Sequence, residues 1–91
     1  MTVTLDEMKN YLRVDYDDDD ALIGQLLQSA EKICMDVARM DSADEFYTVE
    51  NAKIAVLYAA AYLYEHREEA DHEDLVQTLR SLLFGVRKEV F

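Results

Sequence analysis

From Ile54 to Tyr64 the chain reads Ile-Ala-Val-Leu-Tyr-Ala-Ala-Ala-Tyr-Leu-Tyr, without one charged residue. Wound as a helix, this run is apolar around its whole circumference, and a helix of that kind has to be surrounded. It is too short to cross a bilayer, which takes roughly 20 apolar residues. The cover must come from protein: the rest of this chain, neighbouring subunits, or both. The chain has 91 residues, enough for one domain, residues 1–91, near the lower end of what folds without staples. The other three helices expected below are a thin wrapping for it.

Helices are the default, because proline is absent and glycine occurs only at Gly24 and Gly85. The first is expected to open at Thr4, where Thr4-Leu5-Asp6-Glu7 has the form of a capping box. Leu5, Met8 and Leu12 share one face of it, and it should end near Arg13 or Val14. The second begins in the run Asp17 to Asp20, with an aspartate as cap and the others at the positive end of the dipole. Ile23, Leu26, Leu27, Ala30, Ile33, Cys34 and Val37 make its apolar stripe. Gly24 costs this helix about 1 kcal/mol relative to alanine, which suggests a close approach by another backbone. A polar joint, Met40 to Tyr47, leads to the third helix, capped by Thr48. Asp71 caps the fourth, whose buried face is Leu75, Val76, Leu79, Leu82 and Leu83. Gly85 stops it, and Val86-Arg87-Lys88-Glu89-Val90-Phe91 follows as a short tail, apolar and basic in an otherwise acidic chain. The expected fold is all-α, a small antiparallel bundle of about four helices.

Twenty Asp and Glu oppose nine Lys and Arg, a formal net charge of −11. Such a surface repels phosphate, so groove-reading DNA binding and anionic membranes are disfavoured. Basic protein surfaces are the natural complement, and an acidic wall also suits a passage through which DNA slides without sticking. No basic n-region followed by an apolar h-region follows Met1, so no secretory signal is expected and the host cytoplasm is the expected compartment. One cysteine permits no intrachain disulfide.

The search for chemistry returns little. Asp15-x-Asp17-x-Asp19 imitates the opening of a calcium loop, but Asp20 stands where glycine should turn the chain and Leu26 where a bidentate glutamate belongs. His66 and His72 lack zinc-protease spacing and have no cysteine partner. Cys34 lies on the core stripe, where burial makes a thiol inert. Ser29, Ser42 and Ser81 have no histidine at a suggestive spacing, and no glycine-rich loop could cradle phosphate. No catalytic residue, metal site or cofactor is expected, and no enzymatic activity.

Surfaces for packing are better marked. Tyr58 and Tyr62 are an i, i+4 pair and Tyr64 lies on another side of the same helix; tyrosine buries area while its hydroxyl keeps a partner. With Phe84, Val86, Arg87, Lys88, Val90 and Phe91 they are the candidate subunit interface. Asp15, Asp17, Asp18, Asp19 and Asp20 are the candidate acidic docking or channel surface.

Three blocks carry a resemblance. They are Thr4-Leu5-Asp6-Glu7-Met8-Lys9-Asn10-Tyr11-Leu12-Arg13-Val14-Asp15 running into Asp17 to Ile23; Ala55 to Glu68, ending in Tyr64-Glu65-His66-Arg67-Glu68; and Leu79-Arg80-Ser81-Leu82-Leu83-Phe84-Gly85-Val86-Arg87. In this order the chain resembles the small head–tail connector (adaptor) family of long-tailed phages and prophages, also labelled DNA-packaging proteins. The joint between the second and third helices is shorter here than in many relatives. The resemblance implies a structural protein without catalytic residues that forms a homo-oligomeric ring, dodecameric on the portal. That ring would lie between the portal protein and a head-completion, stopper or tail protein, extend the DNA channel, and complete the head after packaging. DNA would pass through unbound, and the assembled protein would reside in the virion neck. A different use of the same acidity is a DNA-mimicking inhibitor of a nucleic-acid enzyme.

Closing a ring from chains of charge −11 opposes assembly by repulsion. Salt screens it, since the Debye length falls from ~30 Å at 0.01 M to ~3 Å at 1 M. The isolated protein is therefore expected to sediment as a monomer or weak oligomer at low salt and to associate as salt rises. A tight oligomer at low salt that dissolves on raising it would show that attractive charge pairs dominate instead.

Overall fold

The computed structural model describes residues 3–66 and 72–84. Within them the chain forms α1 (Leu5–Leu12), α2 (Asp20–Ala38), α3 (Ala43–Phe46), α4 (Ala52–Glu65) and α5 (His72–Phe84). No strand occurs among the described residues. The all-α bundle is as the sequence implies, with one addition: the polar joint holds the one-turn α3. Ser42 starts it by accepting from the Glu45 amide, and it exists to carry Phe46, which is wholly buried.

Both early helices begin and end for readable reasons. The Thr4 hydroxyl accepts from the Glu7 amide at 3.1 Å while the Glu7 carboxylate accepts from the Thr4 amide at 2.9 Å, the reciprocal box. α1 and α2 then stop in the same way, on Arg13 and Arg39 in the left-handed conformation (φ 62° and 59°). The Val14 amide reaches back to the Lys9 carbonyl and the Met40 amide to the Met35 carbonyl, the six-to-one bond of a Schellman cap. Val14 and Met40 tuck against the core just beyond. Arginine in this backbone region costs roughly 1–2 kcal/mol relative to a right-handed conformation, so the carbonyl bonds and apolar contacts must offset it.

Two expected caps act otherwise. Thr48 does not open α4: its hydroxyl donates backward to the Glu45 carbonyl at 2.6 Å, and the helix starts after Asn51. The Asn51 side chain is spent on a longer contact, its amide donating to the Leu82 carbonyl at 3.0 Å and tying the end of α5 to the start of α4. Asp19 occupies the N-cap position of α2 without making a side-chain cap; its carboxylate accepts from the Tyr64 hydroxyl near the end of α4. These two contacts define the packing sense. The start of α2 meets the end of α4, and the end of α5 meets the start of α4, so α4 runs antiparallel to both. Asp71 and Gly85, expected to cap and stop the last helix, lie outside the described residues.

α2 and α4 make the most extensive contact in the molecule. They meet through small residues: Ala30 and Cys34 on α2, and Ala52, Ala55, Ala59 and Ala60 on α4, all buried. Larger side chains close this seam from the flanks, among them Met8 from α1, Phe46 from α3, and Leu75 and Leu79 from α5. α1 and α5 each pack across both α2 and α4. The expected apolar faces of α1, α2 and α5 turn inward, with Leu5, Leu12, Leu27, Ile33 and Leu82 half-buried around the fully buried positions. Leu26 and Val76 are the exceptions, since they are not among the residues packed on the core.

The expected close approach at Gly24 is absent. A Cβ built there meets nothing within 4 Å, because Gly24 opens onto a groove instead of a backbone. Its helix penalty thus has no packing compensation within the chain. Gly24→Ala is expected to stabilise the protein by about 1 kcal/mol, read as a higher urea midpoint with unchanged slope. A lower midpoint would show that the position is needed bare by the fold itself.

Candidate functional site

The acidic run folds into a buckle. The Lys9 ammonium, on α1, lies 3.0 Å from Asp17 Oδ1 and 2.7 Å from Asp20 Oδ1. It is only 13% exposed, so the pair is partly shielded from water. Asp20 Oδ1 is itself buried, and its compensation is the ion pair rather than a well-directed hydrogen bond. The short contacts to Asp20 and then Asp17 push the Lys9 amine above its ordinary value of 10.5. Asp19 makes the second clasp: its Oδ2 accepts from the Tyr64 hydroxyl at 2.8 Å. That bond, with another to Tyr16, pushes the Tyr64 hydroxyl up to about 12. Asp17, Asp19 and Asp20 thus hold the α1–α2 loop against α1 and α4. Asp15 and Asp18 are exposed, and Asp17 keeps 87% of its side chain in solvent despite its partner.

α4 has two unlike sides. Its alanines and Val56 face the core, which leaves larger apolar residues on the outer arc. Ile54 is 53% exposed, and Tyr58 and Tyr62 follow it at i+4 and i+8, both half-buried. Tyr58 and Tyr62 lie with ring centroids 6.5 Å apart, and Tyr62 stacks on His66 at 4.2 Å. The His66 ring nitrogen Nδ1 also meets the Tyr62 carbonyl at 3.0 Å, so this histidine closes the helix end. Of the three candidate tyrosines, Tyr58 and Tyr62 share a face with Ile54, while Tyr64 reaches to Asp19. The structure therefore adds Ile54 to the candidate surface. The signal was present as the Ile54, Tyr58, Tyr62 spacing, but a run apolar on every side gives no reason to prefer one face. The side chain of Phe84, and Val86, Arg87, Lys88, Val90 and Phe91 entirely, lie outside the described residues.

Nothing in the described residues gathers for catalysis. No group of three or more His, Cys, Asp or Glu that could hold a metal ion occurs among them. Cys34 is buried, and desolvation with the nearby Glu31 charge raises its thiol to about 12, well away from a reactive thiolate. Tyr47, buried in part and donating to Glu31 Oε2 at 2.7 Å, is likewise held protonated. No helix of the described residues is long and apolar enough to cross a membrane.

Comparison with known families gives one match. Residues 2–90 fit the family model described as Phage gp6-like head-tail connector protein. No curated protein and no solved structure matches the chain.

The ion pairs make stability depend on pH at both ends. Glu7 is lowered from 4.5, first by its hydrogen bond from Lys53 at 2.8 Å. Its contribution is full above 4.5 and is lost as pH falls through the lowered value. Lys9 is raised from 10.5, so its contribution is full below 10.5 and is lost as pH climbs through the raised value. Lys53→Met is expected to flatten the acid limb of a urea-midpoint profile and Lys9→Met the alkaline limb. At neutral pH, Asp20→Asn should lower the midpoint more than Asp17→Asn, because Asp20 is the less exposed partner. Equal effects would place the buckle's strength in the loop instead.

Proposed function

This chain belongs to the phage gp6-like head–tail connector family, and we propose that it works as a ring between the portal and the stopper or tail, extending the DNA channel and completing the head after packaging. A phage head–tail connector has a structural role, and the family match over residues 2–90 is the observation that carries this reading. Two features of the surface support it. The Ile54, Tyr58 and Tyr62 arc is a large apolar edge on the central helix, of the kind that subunit packing covers. The net charge of −11 suits a wall past which DNA moves without adhering. In this reading Asp15 and Asp18 belong to the channel or docking surface. Asp17, Asp19 and Asp20 serve first to hold the loop that presents them.

The same pairing argues against a DNA mimic. A mimic needs its charges spread along one face at phosphate spacing, and here three of the five clustered aspartates are engaged with Lys9 and Tyr64.

Deleting the gene from an inducible phage tests the role directly. Electron micrographs of the lysate are expected to show DNA-filled or leaking heads beside free, complete tails. Normal virions in that lysate would overturn the connector role.

A further inference from the structure

Gly24 lies in a groove of about 270 Å³ whose other walls are Val3, Leu27, Gln28, Tyr47 and Val56, with Glu31 at one end. Its walls are mostly apolar, and the missing Gly24 side chain leaves its floor open. Gln28 and Glu31 also border a second groove of about 220 Å³ further along α2, beside Met35, Asp36 and Asp41. Together they make one track on α2, apolar at the Gly24 end and acidic from Glu31 onward. Lys32 is the single base on its rim. No described ion pair engages Glu31, Asp36 or Asp41.

The chain carries a segment of matching polarity. After α5 come Val86-Arg87-Lys88-Glu89-Val90-Phe91, two bases followed by a hydrophobic pair. Lengths agree as well. From Lys88 to Phe91 is about 10 Å of extended chain, and from Glu31 to Gly24 is about 10 Å of helix at 1.5 Å per residue. Phe91 over Gly24 therefore places Lys88 near Glu31 and Arg87 toward Asp36.

We propose that the C-terminal segment 86–91 of one copy docks in the Gly24 groove of the next, Val90 and Phe91 against the apolar end and Arg87 and Lys88 against Glu31 and Asp36. This inference rests on the ring reading and supplies its contact. A second copy is favoured by where the two parts sit. The groove is walled by Val3, just before α1, and by Tyr47, just after α3. The segment leaves from α5, which packs across α2 and α4 separately from α1. The groove thus borders the α1 side, while α5, which the segment follows, makes no extensive contact with α1 among the described residues. Such a protomer associates head to tail, the heterologous contact that closes into rings. Opposite charges at the contact also relieve locally the repulsion between acidic subunits.

Cross-linking of the full chain tests this. Gln28→Cys combined with Glu89→Cys puts one thiol on the shared wall of the two grooves and one in the segment. The native Cys34, buried and with its thiol raised to about 12, stays unreactive. With a short bis-maleimide at raised salt, the expected product is a ladder of dimers, trimers and larger species on a denaturing gel. Adding Gly24→Leu should abolish the ladder, because the side chain fills the groove, while circular dichroism and the urea midpoint show the fold intact. Cross-linking confined to the monomer would mean that the segment folds onto its own groove and would overturn the second copy. No cross-link, or a ladder indifferent to Gly24→Leu, would overturn the groove. The gel reads a contact in purified protein and the gene deletion reads a place in the particle, so either can fail without the other.

Discussion

The rest of the molecule depends on how closely α2 and α4 approach. Alanine and cysteine are among the buried residues of these two helices, and side chains that small permit a close approach. A seam of alanines buries little apolar area per residue, so it cannot hold so small a chain alone. Ile23 on α2 and Val56 on α4 add larger buried side chains, and Met8, Phe46, Leu75 and Leu79 are brought in from α1, α3 and α5. α3 is a single turn, and its one substantial contribution is Phe46. This arrangement also decides what faces outward. With small residues turned inward on α4, Ile54 is left exposed, and Tyr58 and Tyr62 lie half-buried at the edge of the core.

Acidity serves the fold before it serves any partner. A run of four aspartates is costly to gather, since each repels the next, and the structure answers with one well-placed cation and one hydroxyl. Lys9 reaches two carboxylates from the preceding helix, and Tyr64 reaches a third from the far end of α4. The loop is thereby tied to two helices at once. Lys53 plays the same part for Glu7, joining α1 to the start of α4. Among the described residues, Lys9 and Lys53 thus carry three ion pairs to acidic side chains.

Much of this was legible in the residues, for reasons that are themselves physical. The Thr4–Glu7 box is local chemistry within one turn, and the stripes on α1, α2 and α5 follow from helical period alone. The all-α class follows from the same period with no proline to interrupt it. What escaped was whatever depends on a distant residue. Asp19 looks like a cap until Tyr64 arrives from α4. Thr48 looks able to open α4, but its hydroxyl turns back to Glu45 and the helix starts after Asn51, whose amide reaches Leu82. Arg13 and Arg39 end helices where glycine is the usual sign, so their left-handed backbones carry no marker. Phe46 sat in a stretch polar enough to read as a joint, because one buried aromatic has no period. On α4 the Ile54, Tyr58, Tyr62 spacing was present, but a run apolar on every side gave no reason to single out that face.

Gly24 carries the same lesson in reverse. A glycine in mid-helix signals that something requires the space, and among the described residues nothing does. Helix propensity argues for alanine there, and so does the openness of the site, which would accept a methyl group without contact. The groove that Gly24 leaves is apolar where the C-terminal segment is apolar and acidic where that segment is basic. In the proposed ring, such a contact would join neighbouring acidic protomers. Each interface then repeats one attractive pairing, so the attraction grows with every subunit while salt shortens the reach of the repulsion.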